Sequence, residues 1–198
     1  MARTLPLFPL GNVLFPAGPL ALRIFEPRYV DMVGRCMREG KGFGVVLLLE
    51  GAEAGAGALT TATVGTEARI VDFDRLEDGL LGLTCIGAGR LRILRAWRQE
   101  DGLNMAEVAD VQAEPAQPVP ADCAHLPEAL RRLYRELGPL YERVPPAWDD
   151  AVWIGNRLAE LAPLEPAVKQ GLLELNEPLE RLRYFVPLVS IGSGAFIA

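Results

Sequence analysis

Residues 20–29, LALRIFEPRY, contain the change of pattern that decides the fold of the first half of the chain. Leu20–Phe25 is typical of a strand, and Pro27 follows at a position that suits the first turn of a helix. Apolar residues then recur at helical spacing until Gly40, namely Tyr29, Met32, Val33, Cys36 and Met37. The stretch therefore predicts a strand followed by one amphipathic helix.

Short apolar segments on both sides of this junction predict further strands. Leu5–Leu10 contains two prolines, so we expect it at a sheet edge or at the end of a strand. The other predicted strands are Asn12–Pro16, Phe43–Leu49 (buried on both faces), Thr66–Phe73, Leu80–Gly87 and Arg90–Trp97. In the last of these, Leu91, Ile93 and Trp97 should point inward and the arginines outward.

Turn signals separate these strands. Glu77–Gly79 predicts a hairpin turn, and the small residues of Gly51–Leu59 predict a mobile loop. Many short strands without long helical crossovers indicate a mostly antiparallel, barrel-like sheet.

A proline-rich stretch, residues 113–120, precedes a change of apolar period from 2 to 3.6. One helical stripe contains Leu126, Leu130, Leu133, Leu137 and Tyr141. Asp149 and Asn176 are the expected N-caps of two later helices, Pro166 should start the helix between them, and Pro187 should end or kink the last. The sequence thus predicts an α+β chain with a β-rich subdomain (1–112), a linker (113–120) and a C-terminal α-helical bundle (121–198).

Composition argues against several functions for these 198 residues, which have a net charge of −6 and a mean hydropathy of +0.17. An acidic chain is a poor partner for nucleic acid, although a local basic patch stays open. No apolar stretch is long enough to span a membrane. Three cysteines far apart in sequence predict reduced core thiols and a cytoplasmic protein. His125 is the only histidine and Lys41 and Lys169 are the only lysines, which leaves little for nucleophilic catalysis.

Glycine and cysteine patterns do not predict a cofactor or a metal. Gly87–Arg92, Gly192–Gly194 and Gly40–Gly42 lack the spacing and the strand–turn–helix context of nucleotide-binding loops, so turns explain them better. Cys123 and His125 supply only two possible metal ligands. We therefore expect neither a cofactor nor a metal.

The Phe25–Tyr29 junction is the most informative local feature, and two interpretations of it stay open. Glu26 can lie at the helix start, where the helix dipole favours an anion, and Arg28 can pair with it. Alternatively, both side chains fix the orientation of a peptide in an apolar groove.

The chain resembles the Lon N-terminal domain family. Residues 5–10 (LPLFPL), 13–16 (VLFP) and 20–29 match the opening of that family, and residues 66–70, 89–93, 156–161 and 169–174 resemble later parts of it. The resemblance implies a PUA-like β pseudobarrel with one inserted helix, followed by a helical bundle. It also implies a stand-alone form of the domain that engages substrates in Lon proteases (ATP-dependent protease La), without the ATPase and protease modules.

From this resemblance we expect a non-catalytic, bacterial-type protein- or peptide-binding module in the cytoplasm, with a role in protein quality control or regulation. Its expected partners are unfolded or partner polypeptides, and it should neither hydrolyse ATP nor cleave protein. The expected peptide-binding residues are Phe8, Phe15, Phe25, Glu26, Arg28 and Tyr29, beside an edge strand near the N-terminus. A hydrolase with an unrecognised site and an RNA-binding PUA-like protein are the alternatives, and the oligomeric state is open.

Overall fold

A computed structural model describes residues 2–51, residues 60–189 and Phe196. It divides the chain into two compact units, Met1–Gln112 (unit 1) and Ala113–Ala198 (unit 2). The described strands are β1 (Ala2–Leu10), β2 (Pro19–Ile24), β3 (Phe43–Glu50), β4 (Thr60–Arg75), β5 (Leu81–Arg98) and β6 (Asn104–Asp110). The described helices are α1 (Pro27–Glu39) in unit 1 and α2 (Leu126–Glu136), α3 (Pro139–Glu142), α4 (Ala151–Leu161), α5 (Pro166–Glu174) and α6 (Pro178–Arg183) in unit 2. The chain is therefore α+β.

Two predicted segments fall largely or wholly outside the described residues. Of the loop expected at Gly51–Leu59 only Gly51 is described, and Gly192–Gly194 is not described. No helix in the described part of the chain is long and apolar enough to cross a membrane.

The six strands of unit 1 form one sheet that closes on itself. The strand order is β2-β5-β4-β3-β1-β6, and the second half of β5 also pairs with β6. Five strands therefore form a ring, and β2 is attached to the first half of β5 outside that ring. The β1–β3 pairing is parallel and the other pairings are antiparallel.

The position predicted for the proline-containing N-terminal strand is wrong, since β1 lies between β3 and β6. Its two neighbours are staggered along it. Residues 2–7 pair with β6 and residues 7–10 pair with β3, so Pro6 and Pro9 each lie in a half that has a neighbour on one side only. A residue without an N–H is tolerated where one side of the strand carries no ladder.

The strand predicted at Asn12–Pro16 is also wrong, because these residues form an irregular loop between β1 and β2. The loop is held by side-chain and turn contacts in place of a ladder. The Thr66 hydroxyl donates to the carbonyl of Leu14 at 2.6 Å, and the Gly18 N–H donates to the carbonyl of Phe15 at 2.9 Å.

β4 and β5 form a long hairpin of 16 and 18 residues. The two strands predicted at 80–87 and 90–97 are one continuous strand, which passes from pairing with β4 to pairing with β6. The predicted turn is confirmed, with Gly79 at a φ of 83° and its N–H donating to the Leu76 carbonyl at 2.8 Å. Leu91 is buried as predicted, but Trp97 is exposed and Arg90 is buried. A register shift between Ile93 and Arg95 breaks the alternation that the prediction for Trp97 assumed.

The predicted helix is confirmed as α1, which begins at Pro27 and ends before Gly40, whose φ is 62°. Four of the five predicted core positions of this helix are buried, and Met37 is exposed. The main core of unit 1 packs α1 against β2, β3 and the first half of β5; its fully or nearly fully buried members include Met32, Ile24, Phe43, Cys85 and Leu103.

Several helix boundaries in unit 2 differ from the predicted ones. The stripe from Leu126 to Tyr141 is divided, because α2 ends at Glu136 and Gly138–Pro139 starts α3. Asp150 in place of Asp149 caps α4, its Oδ1 accepting from the N–H of Val152 at 3.0 Å. The helix α5 begins at Pro166 as predicted.

The N-cap predicted at Asn176 is wrong by one residue, because Glu177 precedes the proline that begins α6. α6 ends at Arg183, before Pro187. The proline-rich segment is tied to the helices of unit 2. The Gln117 carbonyl accepts from the N–H of Ala151 at 2.7 Å, and buried Arg181 in α6 binds both oxygens of Glu114 at 2.8 and 2.7 Å.

Candidate functional site

The aromatic residues expected to line a groove beside the Phe25–Tyr29 junction are mostly core residues. The Phe8 ring lies 4.4 Å from the Tyr29 ring and 5.8 Å from the Phe43 ring, and all three are buried. Phe15 is completely buried. The assignment of Phe8 and Phe15 to an exposed groove therefore needs correction, because β1 and the loop after it turn these rings into the interior.

The charged pair of the junction is a buried anchor. Arg28 is only 8% exposed; its Nη2 lies 2.8 Å from Oε2 of Glu26, and its Nη1 donates to the carbonyl of Gly102 at 2.9 Å. Its guanidinium also lies over the Tyr29 ring, 4.8 Å from the centroid. Burial raises the pKa of Tyr29. These contacts hold the start of α1 on the β5–β6 turn and account for the burial of Arg28 and Tyr29.

Phe25 differs from the other five expected residues, because its side chain is 60% exposed. It follows the last residue of β2 and precedes α1, at the sheet's outer edge. The structure therefore separates the expected site into a structural part and a single exposed aromatic side chain.

A second exposed apolar surface lies on the part of the β4–β5 hairpin that extends beyond the β3 pairing. β3 pairs with β4 as far as Ala68, so residues 69–86 form an arm, here named the hairpin arm. Phe73 is 55% exposed and Val71 is also exposed on this arm. Met37 is exposed at the C-terminal end of α1.

Two cavities meet at Phe73. One, of about 350 Å³, lies between the end of α1 and the arm and is lined by Met37, Val71 and Phe73 among others. The other, of about 660 Å³, is lined by residues of β2, of the arm and of its turn. Apolar surface of this kind, with polar groups at its rim, is typical of sites that bind polypeptide or small molecules.

The arm is acidic. Asp72, Asp74, Glu77 and Asp78 line the larger cavity, and Arg23 is the one cationic side chain among its lining residues. Arg23 forms an ion pair with Asp78. The negative potential of this surface disfavours phosphate-rich ligands and favours cationic ones.

The sequence contains a signal for this surface, although the predicted strand alternation does not include it. If the strand from Thr66 alternated regularly, residues 66, 68, 70 and 72 would point inward. Val71 and Phe73 are apolar but fall between these positions, so regular alternation would place them on the outer face. A register shift between Ile70 and Asp72 then sets Phe73 opposite Leu83.

Among the residues that the structure describes there is no cluster of three or more metal-ligating side chains.

Comparison with known proteins assigns the family. The family model of the ATP-dependent protease La (LON) substrate-binding domain matches residues 4–190. The chain belongs to this family. The Lon N-terminal domain protein from Xanthomonas campestris has a crystal structure that aligns with a TM-score of 0.78 and 36% identity, over 93% of this chain and 98% of that one.

Other relatives of this Lon substrate-binding domain agree with the assignment. The N-terminal domain of the Mycobacterium avium complex Lon protease has the same fold, with a TM-score of 0.67 and 19% identity over 93% of this chain and 97% of that one. Lon protease 2 of Myxococcus xanthus is 26% identical over 196 residues, which is 95% of this chain and 24% of that protein. The Lon protease of Anaeromyxobacter dehalogenans (strain 2CP-C) is 27% identical over 194 residues, 94% of this chain and 23% of that protein.

The chain spans about a quarter of the length of these Lon proteases. The family match is to the substrate-binding domain and not to an ATPase or protease module.

Proposed function

We propose that this Lon substrate-binding domain is a non-catalytic module that binds unfolded or partner polypeptides through the apolar surface of the hairpin arm. The exposed ring of Phe73, at the meeting point of two cavities, is the observation that carries the proposal. Exposed aromatic side chains beside a cavity are the anchors that protein-binding surfaces use. The family description, which names substrate binding, supports the same role.

The same features weigh against the two alternatives. An RNA-binding surface needs basic side chains along the phosphate path, whereas the arm carries four carboxylates. A hydrolase needs a positioned nucleophile and base, and the larger cavity at Phe73 is lined by neither histidine nor lysine, although Lys41 and Arg69 line the smaller one. A role in protein quality control or regulation is part of the proposal.

We also propose that residues 1–112 form a PUA-like pseudobarrel and residues 121–198 a helical bundle. The closed ring of five strands supports a PUA-like pseudobarrel for residues 1–112, and the succession of short helices supports a helical bundle for residues 121–198. Residues 113–120 connect them. The three cysteines are buried and free, which supports a reducing, cytoplasmic compartment.

Phe73→Ser with Leu94→Ser as its matched control tests the proposed surface. The two side chains are 55% and 53% exposed, and Leu94 lines neither cavity at Phe73. We expect Phe73→Ser to weaken binding of a labelled, reduced and carboxymethylated protein by about ten-fold, because an apolar anchor contributes about 1.5 kcal/mol or more. Leu94→Ser should stay within about two-fold.

Fluorescence anisotropy of the labelled chain measures both affinities, and circular dichroism confirms that both variants fold. Equal losses in the two variants would place binding elsewhere. Absence of binding by the unsubstituted chain would reject the function itself.

A further inference from the structure

We propose that the free edge of β2 docks an extended polypeptide segment in which basic side chains alternate with apolar ones. This inference rests on the proposed function and names the class of segment that the hairpin arm selects. Three observations of unit 1 carry it: the open strand edge, the cavity beside it and the charge of its rim.

The first observation is the pairing of β2. Within the described residues β2 pairs with β5 alone, so its other edge has no strand neighbour. The N–H of Gly87 donates to the carbonyl of Gly18, and in an antiparallel pair such bonded positions alternate. Counted from Gly18, the N–H and C=O groups of Ala21 and Arg23 point away from β5. A segment that adds as a strand can bond these groups without strict demands on its own sequence.

The second observation is that this edge belongs to an apolar row. Leu22, Leu83 and Phe73 lie opposite one another across β2, β5 and β4. Leu22 and Leu83 are buried, whereas Phe73 is open to solvent. The cavity of about 660 Å³ is bounded by residues of all three strands and holds room for side chains of a docked segment. A strand added at β2 would therefore present every second side chain toward this cavity.

The third observation selects the chemistry of the segment. The cavity is lined by four carboxylates, and its one arginine, Arg23, is already paired with Asp78. Lysine or arginine side chains of a docked segment would be attracted by the net negative charge of this cavity, and its apolar side chains would lie beside Leu22 of the adjoining β2. A segment rich in acidic residues would meet like charge there.

The same charge distribution argues against a second copy of this chain as the occupant. Pairing of β2 with β2 of another copy would bring two acidic arms together, and β2 offers only Arg23 to offset them. A basic segment of another polypeptide is complementary to the rim, so it is the occupant to which the proposal commits.

Two matched peptides test the charge selection. In one, valine and phenylalanine alternate with lysine, and in the other the same residues alternate with glutamate. We expect the lysine peptide to bind about ten-fold more tightly at low salt, with the difference shrinking as salt is added. The double variant Asp74→Asn with Glu77→Gln keeps the side-chain shapes, and we expect it to remove most of that preference.

Backbone changes test strand addition. Ala21→Pro removes an N–H that points away from β5, a position where an edge strand accepts proline. We expect it to weaken the lysine peptide by about five-fold, the effect of one lost hydrogen bond. Ala21→Ser keeps the N–H and serves as the control. Lysine peptides that are N-methylated on alternate amides give a second test, because only one of the two alternate sets should lose affinity.

The outcomes separate the inference from the function on which it rests. If the carboxymethylated protein and both peptides fail to bind, the proposed function is rejected. If they bind with equal affinity and neither Ala21→Pro nor either N-methylated set matters, strand addition is rejected while polypeptide binding stands. If sedimentation shows a dimer that Ala21→Pro converts to a monomer, a second copy occupies the edge and the inference is overturned.

Discussion

Arg28→Ala distinguishes a buried anchor from a binding residue at the junction that the sequence singled out. The substitution removes the ion pair with Glu26, the hydrogen bond to the Gly102 carbonyl and the cation–π contact with Tyr29. The Glu26 side chain is 19% exposed, so water can solvate its carboxylate only in part after the change. The Gly102 carbonyl keeps one donor, because Nε of Arg98 also binds it at 3.0 Å.

The expected loss of stability follows from these contacts. A hydrogen bond from a charged donor contributes about 1.5 kcal/mol, and the cation–π contact adds about 0.5 kcal/mol. Loss of the partly buried ion pair costs about 1 kcal/mol, less than for a fully buried pair since Glu26 stays partly hydrated. The free energy of unfolding should therefore fall by about 3 kcal/mol, which lowers the Tm by about 10 °C in a unit of this size.

Urea unfolding followed by far-UV circular dichroism measures the loss, and anisotropy measures binding per folded molecule. Arg38→Ala, on the exposed side of the same helix, is the matched control and should change stability by less than about 0.5 kcal/mol. We expect Arg28→Ala to bind carboxymethylated protein as well as the unsubstituted chain does. A loss of stability no greater than that of Arg38→Ala, together with weakened binding, would show that Arg28 is a surface contact and that this reasoning is wrong.

Two further predictions concern unit 2. Arg181→Met should destabilise it by about 4 kcal/mol, because Glu114 is left as a buried carboxylate without its partner. Adding Glu114→Met should recover part of that loss, measured by urea unfolding followed by tryptophan fluorescence, since Trp148 and Trp153 both lie in unit 2. Burial raises the pKa of Glu160, so its protonated form favours the folded state and that contribution is lost as the pH rises through the raised pKa. Thermal melts from acid to neutral pH should therefore show the unsubstituted chain losing stability relative to Glu160→Gln, and a pH-independent difference would contradict this.

Local rules predicted the parts of the fold that depend on neighbouring residues. Proline and glycine prefer helix ends, which predicts the start of α1 at Pro27 and its end at Gly40. Glycine also tolerates a positive φ, which predicts the turn at Gly79. Such signals lie within a few residues of the element that they define. They hold whatever the rest of the chain does.

Features that depend on distant strands were not predictable in this way. The interior position of β1 depends on the stagger of two neighbours, which lets Pro6 and Pro9 each avoid a ladder on one side. Likewise Gly87 lies inside β5, where a Cβ atom would come within 2.3 Å of the Phe15 carbonyl oxygen. Taken locally, the glycines of Gly87–Gly89 suggest a turn. The loop that requires glycine at position 87 is far away in sequence, so the local pattern does not reveal it.

The candidate site illustrates the same limit. The pattern around Phe25–Glu26–Arg28 showed that charged and aromatic side chains meet there, but not which of them the fold would bury. Burial of Arg28 depends on the β5–β6 turn at Gly102. A register shift in β4 sets Phe73 opposite buried Leu83, on the same face of the sheet, yet the Phe73 side chain is 55% exposed. The apolar residues out of phase in β4 were the available clue, and they point to the arm.

The open edge of β2 and the exposed Phe73 both belong to the region of the hairpin arm, which is why we propose that this part of unit 1 binds polypeptide. A strand segment that is paired on both sides can offer only side chains to a ligand. β2 lies outside the ring and keeps one edge, and the arm to which it is attached also carries the exposed Phe73 and the carboxylates of Asp74 and Glu77. Backbone hydrogen bonds do not depend on the side chains of the bound segment. The aromatic side chain of Phe73 and the carboxylates of the arm, in contrast, discriminate among segments. On the proposed mode of binding, a domain of this kind accepts many unfolded chains yet ranks their segments by the spacing of basic and apolar residues.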